Sequence, residues 1–241
     1  MSVVLQKYIA DSGHCSRREA ERLIRAGKIK LNNRVAELGS RVEMGDRVSI
    51  GNKGLYAKQE NLYIALNKPV GYVCSNRKFE NEKNIFDLIS LRDKLFVSGR
   101  LDKESHGLVF LTNDGVLAQN LSHPSFGHEK EYEVKVDRDD LDPDEVIRKF
   151  RKGIDIGEGD GYVRAKFVEQ ISNNRFRIVL TEGKKRQIRR MFAFFDCKVI
   201  DLVRVRIGSE KSGLRLGKLQ LGEWRFLSDK EVKGLKEDFV S

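Results

Sequence analysis

Long apolar runs are missing from this chain. No stretch approaches the roughly 18 consecutive apolar residues that a membrane-spanning helix requires, so no membrane association is expected. Cysteine is scarce. Cys15, Cys74 and Cys197 are odd in number and far apart, which fits neither a disulfide framework nor a zinc-ligand spacing and points to a reducing cytoplasm. The opening residues Met1 to Lys7 place no charged region ahead of a sustained apolar one, so no secretory leader is expected. His14, His106, His123 and His128 lack ligand spacing, and no metal site is expected. Neither a repeat of roughly 20–50 residues nor a low-complexity tract is present.

What is present is a globular, basic protein. Its 241 residues suit one large domain or a small one followed by a medium one, and 39% hydrophobic content can build a core. The formal net charge is +10. Such an excess favours a polyanionic partner, because basic side chains release counterions from a phosphate backbone on binding. The excess is unevenly spread: residues 1–60 hold 12 Lys and Arg against 7 Asp and Glu, half of the surplus in a quarter of the length. A second basic concentration is Lys184-Lys185-Arg186-Gln187-Ile188-Arg189-Arg190. Taken alone, either run would be read as a solvated face.

Residues 1–50 read as a compact module. Val4, Leu5, Tyr8 and Ile9 have helical spacing, and Gly13 is a suitable C′ residue. Ser16 followed by Glu19 predicts a capping box for a second helix, with Ala20, Leu23 and Ile24 as its buried stripe and Gly27 as its stop. The polar side carries Arg17, Arg18, Arg22 and Arg25, with Lys28 and Lys30 just beyond. An Asn32-Asn33 turn and short strands near Val35, Val42 and Val48–Ile50 follow.

The runs Ser16-Arg17-Arg18-Glu19-Ala20-Glu21-Arg22-Leu23-Ile24, Gly27-Lys28-Ile29-Lys30-Leu31-Asn32 and Gly45-Asp46-Arg47-Val48 resemble an S4 RNA-binding domain over nearly all fifty residues. The resemblance implies that the second helix and the basic strand lie along an RNA backbone. Arginine forks suit phosphate oxygens, and a helix N-terminus adds positive potential.

Residues 51–60 hold two glycines and no clear periodicity, and are expected to be a linker. Residues 61–241 predict an α+β domain with many alternating strands. Leu62–Leu66 is an apolar strand ending at Asn67-Lys68-Pro69. Tyr132, Val134 and Val136 share one face of another, and the Asn173-Asn174 turn predicts a hairpin from about Tyr162 to Leu180. A helix from about Lys184 to Phe195 would bury Ile188, Met191, Phe192 and Phe195. Arg189, about 100° from Ile188, would lie on the border of that stripe, with Arg186 and Arg190 turned toward phosphates.

The densest signal is Ser98-Gly99-Arg100-Leu101-Asp102-Lys103-Glu104-Ser105-His106-Gly107-Leu108-Val109-Phe110-Leu111-Thr112-Asn113-Asp114-Gly115, a strand, a polar loop, a buried strand and a turn. On spacing alone Asp102 is a turn former or surface charge more often than a catalyst. By the same standard Tyr132 is a core tyrosine and Leu202 a strand leucine. The Gly-Arg-Leu-Asp run, however, resembles the catalytic signature of pseudouridine synthases of the RsuA/RluB/RluF branch. In the same order as in that family come Leu66-Asn67-Lys68-Pro69-Val70-Gly71, Glu129-Lys130-Glu131-Tyr132-Glu133-Val134, Thr181 to Met191, Leu202 to Gly208 and Leu221 to Arg225.

The resemblance implies a small α-β S4 domain followed by a mixed, largely antiparallel sheet flanked by helices. It also implies isomerisation of uridine in structured RNA, without a cofactor, by a monomeric enzyme. Asp102 matches the essential carboxylate, acting as nucleophile or as the base that removes a ribose proton. Arg189 matches the arginine that pairs with it, and Tyr132 the residue that stacks on the target base. Arg100, Leu101 and Leu202 fall where the family lines its pocket, while Lys68, Lys184, Arg186 and Arg190 extend the RNA-binding surface. Gln187-Ile188-Arg189-Arg190-Met191 looks more like the members acting on large-subunit 23S rRNA, with 16S rRNA or tRNA as alternatives. A non-catalytic ribosome-assembly factor is a reading from another class, against which the intact Asp102, Tyr132 and Arg189 stand. An S4-containing RNA methyltransferase would need a Gly-rich strand-loop-helix, and none is found.

Removing the charges of Arg17, Arg18, Arg22 and Arg25 together is expected to weaken RNA affinity and to flatten its salt dependence, by about one unit of slope for each phosphate no longer neutralised, while the circular dichroism spectrum stays unchanged. Titrations at two or more salt concentrations check this, and unchanged affinity would assign the module another ligand.

Overall fold

The computed structural model describes residues 2–56, 60–91, 93–123 and 127–238. The chain divides into two compact units. The first runs to Leu62 and takes in short stretches from later in the sequence, Asn113–Gly115 among them, and the second holds the rest.

The first unit contains β1 (Val3–Val4), α1 (Leu5–Asp11), α2 (Arg17–Arg25), β2 (Ile29–Leu31), β3 (Arg34–Val35), β4 (Arg41–Val42), β5 (Val48–Ile50) and β6 (Lys53–Leu55). The Ser16 side chain accepts the Glu19 amide at 3.2 Å, and Ala20 and Ile24 turn inward. The capping box is only half made. Glu19 pairs with Arg22 at 2.7 and 2.9 Å instead of reaching back to the cap, because a guanidinium two-pronged bond outcompetes a single amide. Asn32 and Asn33 take left-handed φ of 52° and 67°, the turn a two-residue hairpin requires, so β2 and β3 pair as expected. Leu5, Ile9, Ala20, Ile24, Ile29 and Val48 form the core.

The expected linker over 51–60 is corrected. Gly51 and Asn52 turn the chain so that β6 pairs with β5, and Leu55 enters the core at 5% exposure. A three-residue strand with one inward side chain is too short to show periodicity. Residues 57–59 of that expected linker lie outside the described residues.

The second unit is built on one mixed sheet. Its strands are β7 (Tyr63–Lys68), β10 (Phe96–Ser98), β11 (His106–Thr112), β12 (Lys130–Val136), β15 (Phe167–Ser172), β16 (Arg175–Leu180), β17 (Val199–Ile207), β18 (Leu214–Arg215) and β19 (Trp224–Phe226); small two-stranded pairs are β8 (Tyr72–Val73) with β9 (Lys83–Asn84), and β13 (Ile154–Asp155) with β14 (Tyr162–Val163). The order is β15-β16-β12-β17-β11-β7-β19, with β10 on β11 and β18 on β17. Within this sheet every pairing is antiparallel except β11 with β17. Helices α3 (Gly115–Ser122), α4 (Pro143–Lys152), α5 (Gln187–Ala193) and α6 (Asp229–Glu237) flank it. Leu108, Phe110, Leu117, Leu121 and Leu235 fill one core. Helix α5 packs Phe192 edge-on against Phe150 of α4 at 5.0 Å and against Phe176 of β16 at 5.4 Å. Among the described residues no helix is long and apolar enough to cross a membrane.

Two expected elements shift. The hairpin spans Phe167–Leu180, whereas Tyr162–Val163 pairs with Ile154–Asp155. Helix α5 is shorter than predicted, because Arg186 adopts a left-handed φ of 53° that no α-helix accommodates, leaving Lys184–Arg186 in the preceding loop.

Phe192→Ala is expected to cost about 3–5 kcal/mol, since the ring is fully buried among two other rings that cannot collapse into the void. Urea unfolding of the variant measures it.

Candidate active site

A cavity of about 710 Å³ opens in the second unit. The loop between β10 and β11 forms one wall with Arg100, Leu101 and Asp102; Lys130 and Tyr132 of β12, Leu180 of β16, and Leu202 and Arg204 of β17 line it further; Glu182 to Ile188 form the remaining rim. Seven of the residues singled out in the sequence therefore meet around one space: Arg100, Leu101, Asp102, Tyr132, Lys184, Arg186 and Leu202.

The loop that carries Asp102 is held by its main chain. Asp102 itself is partly exposed, and its carbonyl accepts the Ser105 amide at 3.1 Å in a tight turn. Three cations bond the loop's other carbonyls. Arg204 donates to Gly99 O at 2.5 Å and to Leu108 O at 2.7 Å. Lys68 donates to Ser105 O at 2.6 Å, to Pro69 O at 3.0 Å and to Lys103 O at 3.4 Å. Arg189 donates to Glu104 O at 3.1 Å and to Val199 O at 2.8 Å, with Ser105 Oγ at 3.4 Å.

Lys68 is thus corrected from an RNA contact to a buried brace. It is fully buried, and burial lowers its pKa against the opposing charges of Asp102 and Glu104. Arg189 makes no direct pair with Asp102. Burial holds its guanidinium below the ordinary arginine value, Arg186 adds to that, and Glu104, Asp102 and Asp201 act in the other direction.

Two glycines are required here by close approach. Gly99 has φ +70°, and a Cβ on it would stand 3.3 Å from an Arg204 guanidinium nitrogen. Gly107, at φ +103°, passes so near the Arg204 backbone that a Cβ would lie 2.5 Å from its carbonyl oxygen. That approach is the parallel pairing of β11 with β17, which sets the end of the loop against Arg204.

Tyr132 owes its setting to a bulge. Along β17, Arg206 stands opposite Glu131 and Arg204 opposite Tyr132, leaving Val205 with no partner on β12. Glu131 and Tyr132 face opposite sides of the sheet, so the extra residue sends one arginine to each side. Arg206 bonds Glu131 at 2.7 Å and Glu129 at 3.0 Å, and Arg204 lines the cavity beside Tyr132. Plain alternation would bury the valines and expose both arginines. The structure has Arg204 at 1% and Arg206 at 2% exposure.

At the rim, Arg186 pairs with Glu104 at 2.8 Å in solvent, and Lys103 reaches the half-buried Glu82 at 2.6 Å. Gln187, not singled out in the sequence, is buried: its side chain accepts the Lys184 amide at 2.9 Å and donates to Glu182 at 3.2 Å, fixing the basic loop. Arg190 is corrected from a phosphate contact to a clamp. It donates to Ile156 O at 2.9 Å, Asp160 at 2.6 Å and Gly157 O at 2.5 Å, because the glycine-rich turn between β13 and β14 presents carbonyls that α5 can reach. In the first unit Arg17, Arg18, Arg22, Arg25, Lys28 and Lys30 are all exposed. Among the described residues no group of three or more His, Cys, Asp or Glu is placed to hold a metal ion.

The family model described as RNA pseudouridylate synthase matches residues 62–194, which carry most of the cavity lining, and the S4 domain model matches residues 5–48. The dual-specificity RNA pseudouridine synthase RluF of Escherichia coli is 42% identical over 96% of this chain and 77% of its own length. This chain belongs to the RNA pseudouridine synthases. The ribosomal large subunit pseudouridine synthase B of Bacillus subtilis is 35% identical, covering 96% of this synthase and 95% of that one. A crystal structure of a pseudouridylate synthase superposes with a TM-score of 0.68 at 30% identity, over 97% of this chain and 99% of that one. The enzyme is therefore an isomerase with an S4 domain ahead of its synthase domain.

Lys130 gives this synthase a pH signature. Burial, reinforced by Arg204, lowers its pKa from the ordinary 10.5 to about 8. Between those values the unfolded chain holds more protons at this site than the folded one, so its contribution to stability rises with pH from about 8 to about 10.5. Lys130→Met is expected to remove that rise, about 3 kcal/mol at full extent, in urea unfolding compared across this window with the wild type.

Proposed function

We propose that this synthase isomerises a uridine of large-subunit ribosomal RNA, with Asp102 as the carboxylate that acts at the ribose. The observation that carries the reading is the placement of Asp102 in the cavity wall with Tyr132, Leu101 and Leu202 around the same space. In this reading the target uridine leaves its helix, at a cost of about a few kcal/mol. Tyr132 stacks on the extruded base, while Leu101 and Leu202 exclude water from it. Asp102 then either attacks C1′ or removes a ribose proton, and the glycosidic bond breaks. The base turns and rejoins through C5. Atoms and charge balance without an electron or group donor, since the product is an isomer of the substrate.

Arg189 acts through the loop instead of through a direct ion pair: by holding Glu104 O and Ser105 Oγ it keeps the turn that follows Asp102 in place. Arg100, Lys184 and Arg186 stand at the mouth, where phosphates of the target strand would pass. The exposed arginines and lysines of α2 and β2 add sequence-independent affinity for the surrounding RNA. The large ribosomal subunit is favoured by the Bacillus subtilis relative, which is a large-subunit synthase by name. We further propose that the enzyme works as a monomer in the cytoplasm. Its three cysteines, all free and buried, suit a reducing compartment.

Wild-type enzyme is expected to release tritium from 5-tritiated uridine in ribosomal RNA transcripts, and Asp102→Asn to lose at least about a thousandfold in rate while binding the RNA normally. No release by the wild type, or an active Asp102→Asn, would overturn the assignment. Mapping of modified positions in large- and small-subunit RNA from cells with and without the gene identifies the target.

A further inference from the structure

One cation in the cavity has no part in the steps above. Lys130 is 8% exposed and lies on the same face of β12 as Tyr132, about 7 Å along the strand. An ammonium has three N–H donors. Among the described residues one acceptor meets it, the His128 carbonyl at 3.2 Å, and no carboxylate forms an ion pair with it. Arg204, the charged group that acts on Lys130 from β17, is likewise bonded only to carbonyls. The cavity lining therefore holds two buried positive charges without an ion-pair partner among the described residues, an arrangement that burial opposes unless an electron-rich group arrives to meet it.

The reaction supplies such a group. When the bond between C1′ and N1 breaks, its electron pair leaves with the uracil ring and spreads over N1 and the two carbonyl oxygens. It is returned when C5 bonds to C1′, after which the C5 proton is lost and N1 is protonated. We propose that Lys130 Nζ donates a charge-assisted hydrogen bond to a carbonyl oxygen of the target uracil and holds the detached base in the cavity until it rejoins through C5. This rests on the synthase reading above and adds a residue that touches the base. A donor present before the charge develops is worth most in a water-excluded site. An ammonium with a pKa near 8 is still largely protonated at neutral pH, and it can form that bond.

The test follows tritium release and RNA affinity together for wild type, Lys130→Met and Lys130→Arg. Lys130→Met is expected to lower kcat about 100-fold with the RNA Kd within about threefold, and Lys130→Arg to recover about tenfold of that loss. Wild-type kcat is expected to fall as pH rises through about 8, where the ammonium deprotonates, and the arginine variant to keep its rate through that range. A Lys130→Met enzyme with kcat within about threefold of wild type, or a wild-type rate flat from about pH 7 to 9, would leave Lys130 as a prop for the His128 carbonyl and overturn the inference. If Lys130→Met melts early, the arginine variant and the wild-type pH profile decide. Failure of the wild type to release tritium overturns the synthase reading itself, whereas normal release with an indifferent Lys130→Met removes only this residue's part.

Discussion

A buried cation bonded to a backbone carbonyl is an interaction of fixed direction: the donor must sit where the peptide dipole points, and leaving either group unpaired in the interior costs several kcal/mol. Two such interactions, from Lys68 and Arg204, converge on the few residues between β10 and β11, and the half-buried Arg189 adds a third bond to the same loop at its exposed side. Much else in the second unit serves them. The parallel contact of β11 with β17 brings Arg204 under Gly99, and Gly107 allows the two backbones to come that close. Strand β7 delivers Lys68 from the other side of β11. Helix α5 delivers Arg189, and the ring cluster of Phe150, Phe176 and Phe192 fixes where α5 lies.

A good part of this was legible in the residues. The Ser16 cap, the Asn32-Asn33 turn, the inward face of β12 and the buried stripe of α5 each follow from local rules that tertiary contacts do not overrule. Asp102, Tyr132 and Leu202 were reachable only through resemblance, since each alone is an ordinary loop or strand residue. Burial of charge was the hidden part. Lys68, Lys130, Arg190, Arg204 and Arg206 look like surface cations in the sequence. All but Lys130 are instead bonded to a carbonyl or carboxylate of a segment distant in sequence, and Lys130 bonds the carbonyl two residues back. No periodicity records such partners. The bulge at Val205 is the clearest case, because one inserted residue reverses which side chains of β17 face the cavity.

The charge excess that suggested a polyanionic partner consequently divides into two populations. One is exposed, on α2, on β2 and at the cavity mouth, where it faces solvent, with Arg22 and Arg186 already paired with Glu19 and Glu104. The other is internal and shapes the site. Net charge counts them together, so the surface available to RNA is less basic around the cavity than the composition implies. Arg190 and Lys68 are turned inward, and Arg186 and Lys103 are engaged by Glu104 and Glu82.

A loop gripped by its carbonyls places few demands on its side chains. Lys103 and Glu104 are exposed, and the solvent-facing pair of Glu104 with Arg186 contributes little to stability. Their identities can drift without moving the aspartate between them and Leu101. The segment nearest the chemistry is thus also one where new side chains could accumulate to suit a different RNA, with the reaction geometry insulated from that change by peptide groups that every residue shares.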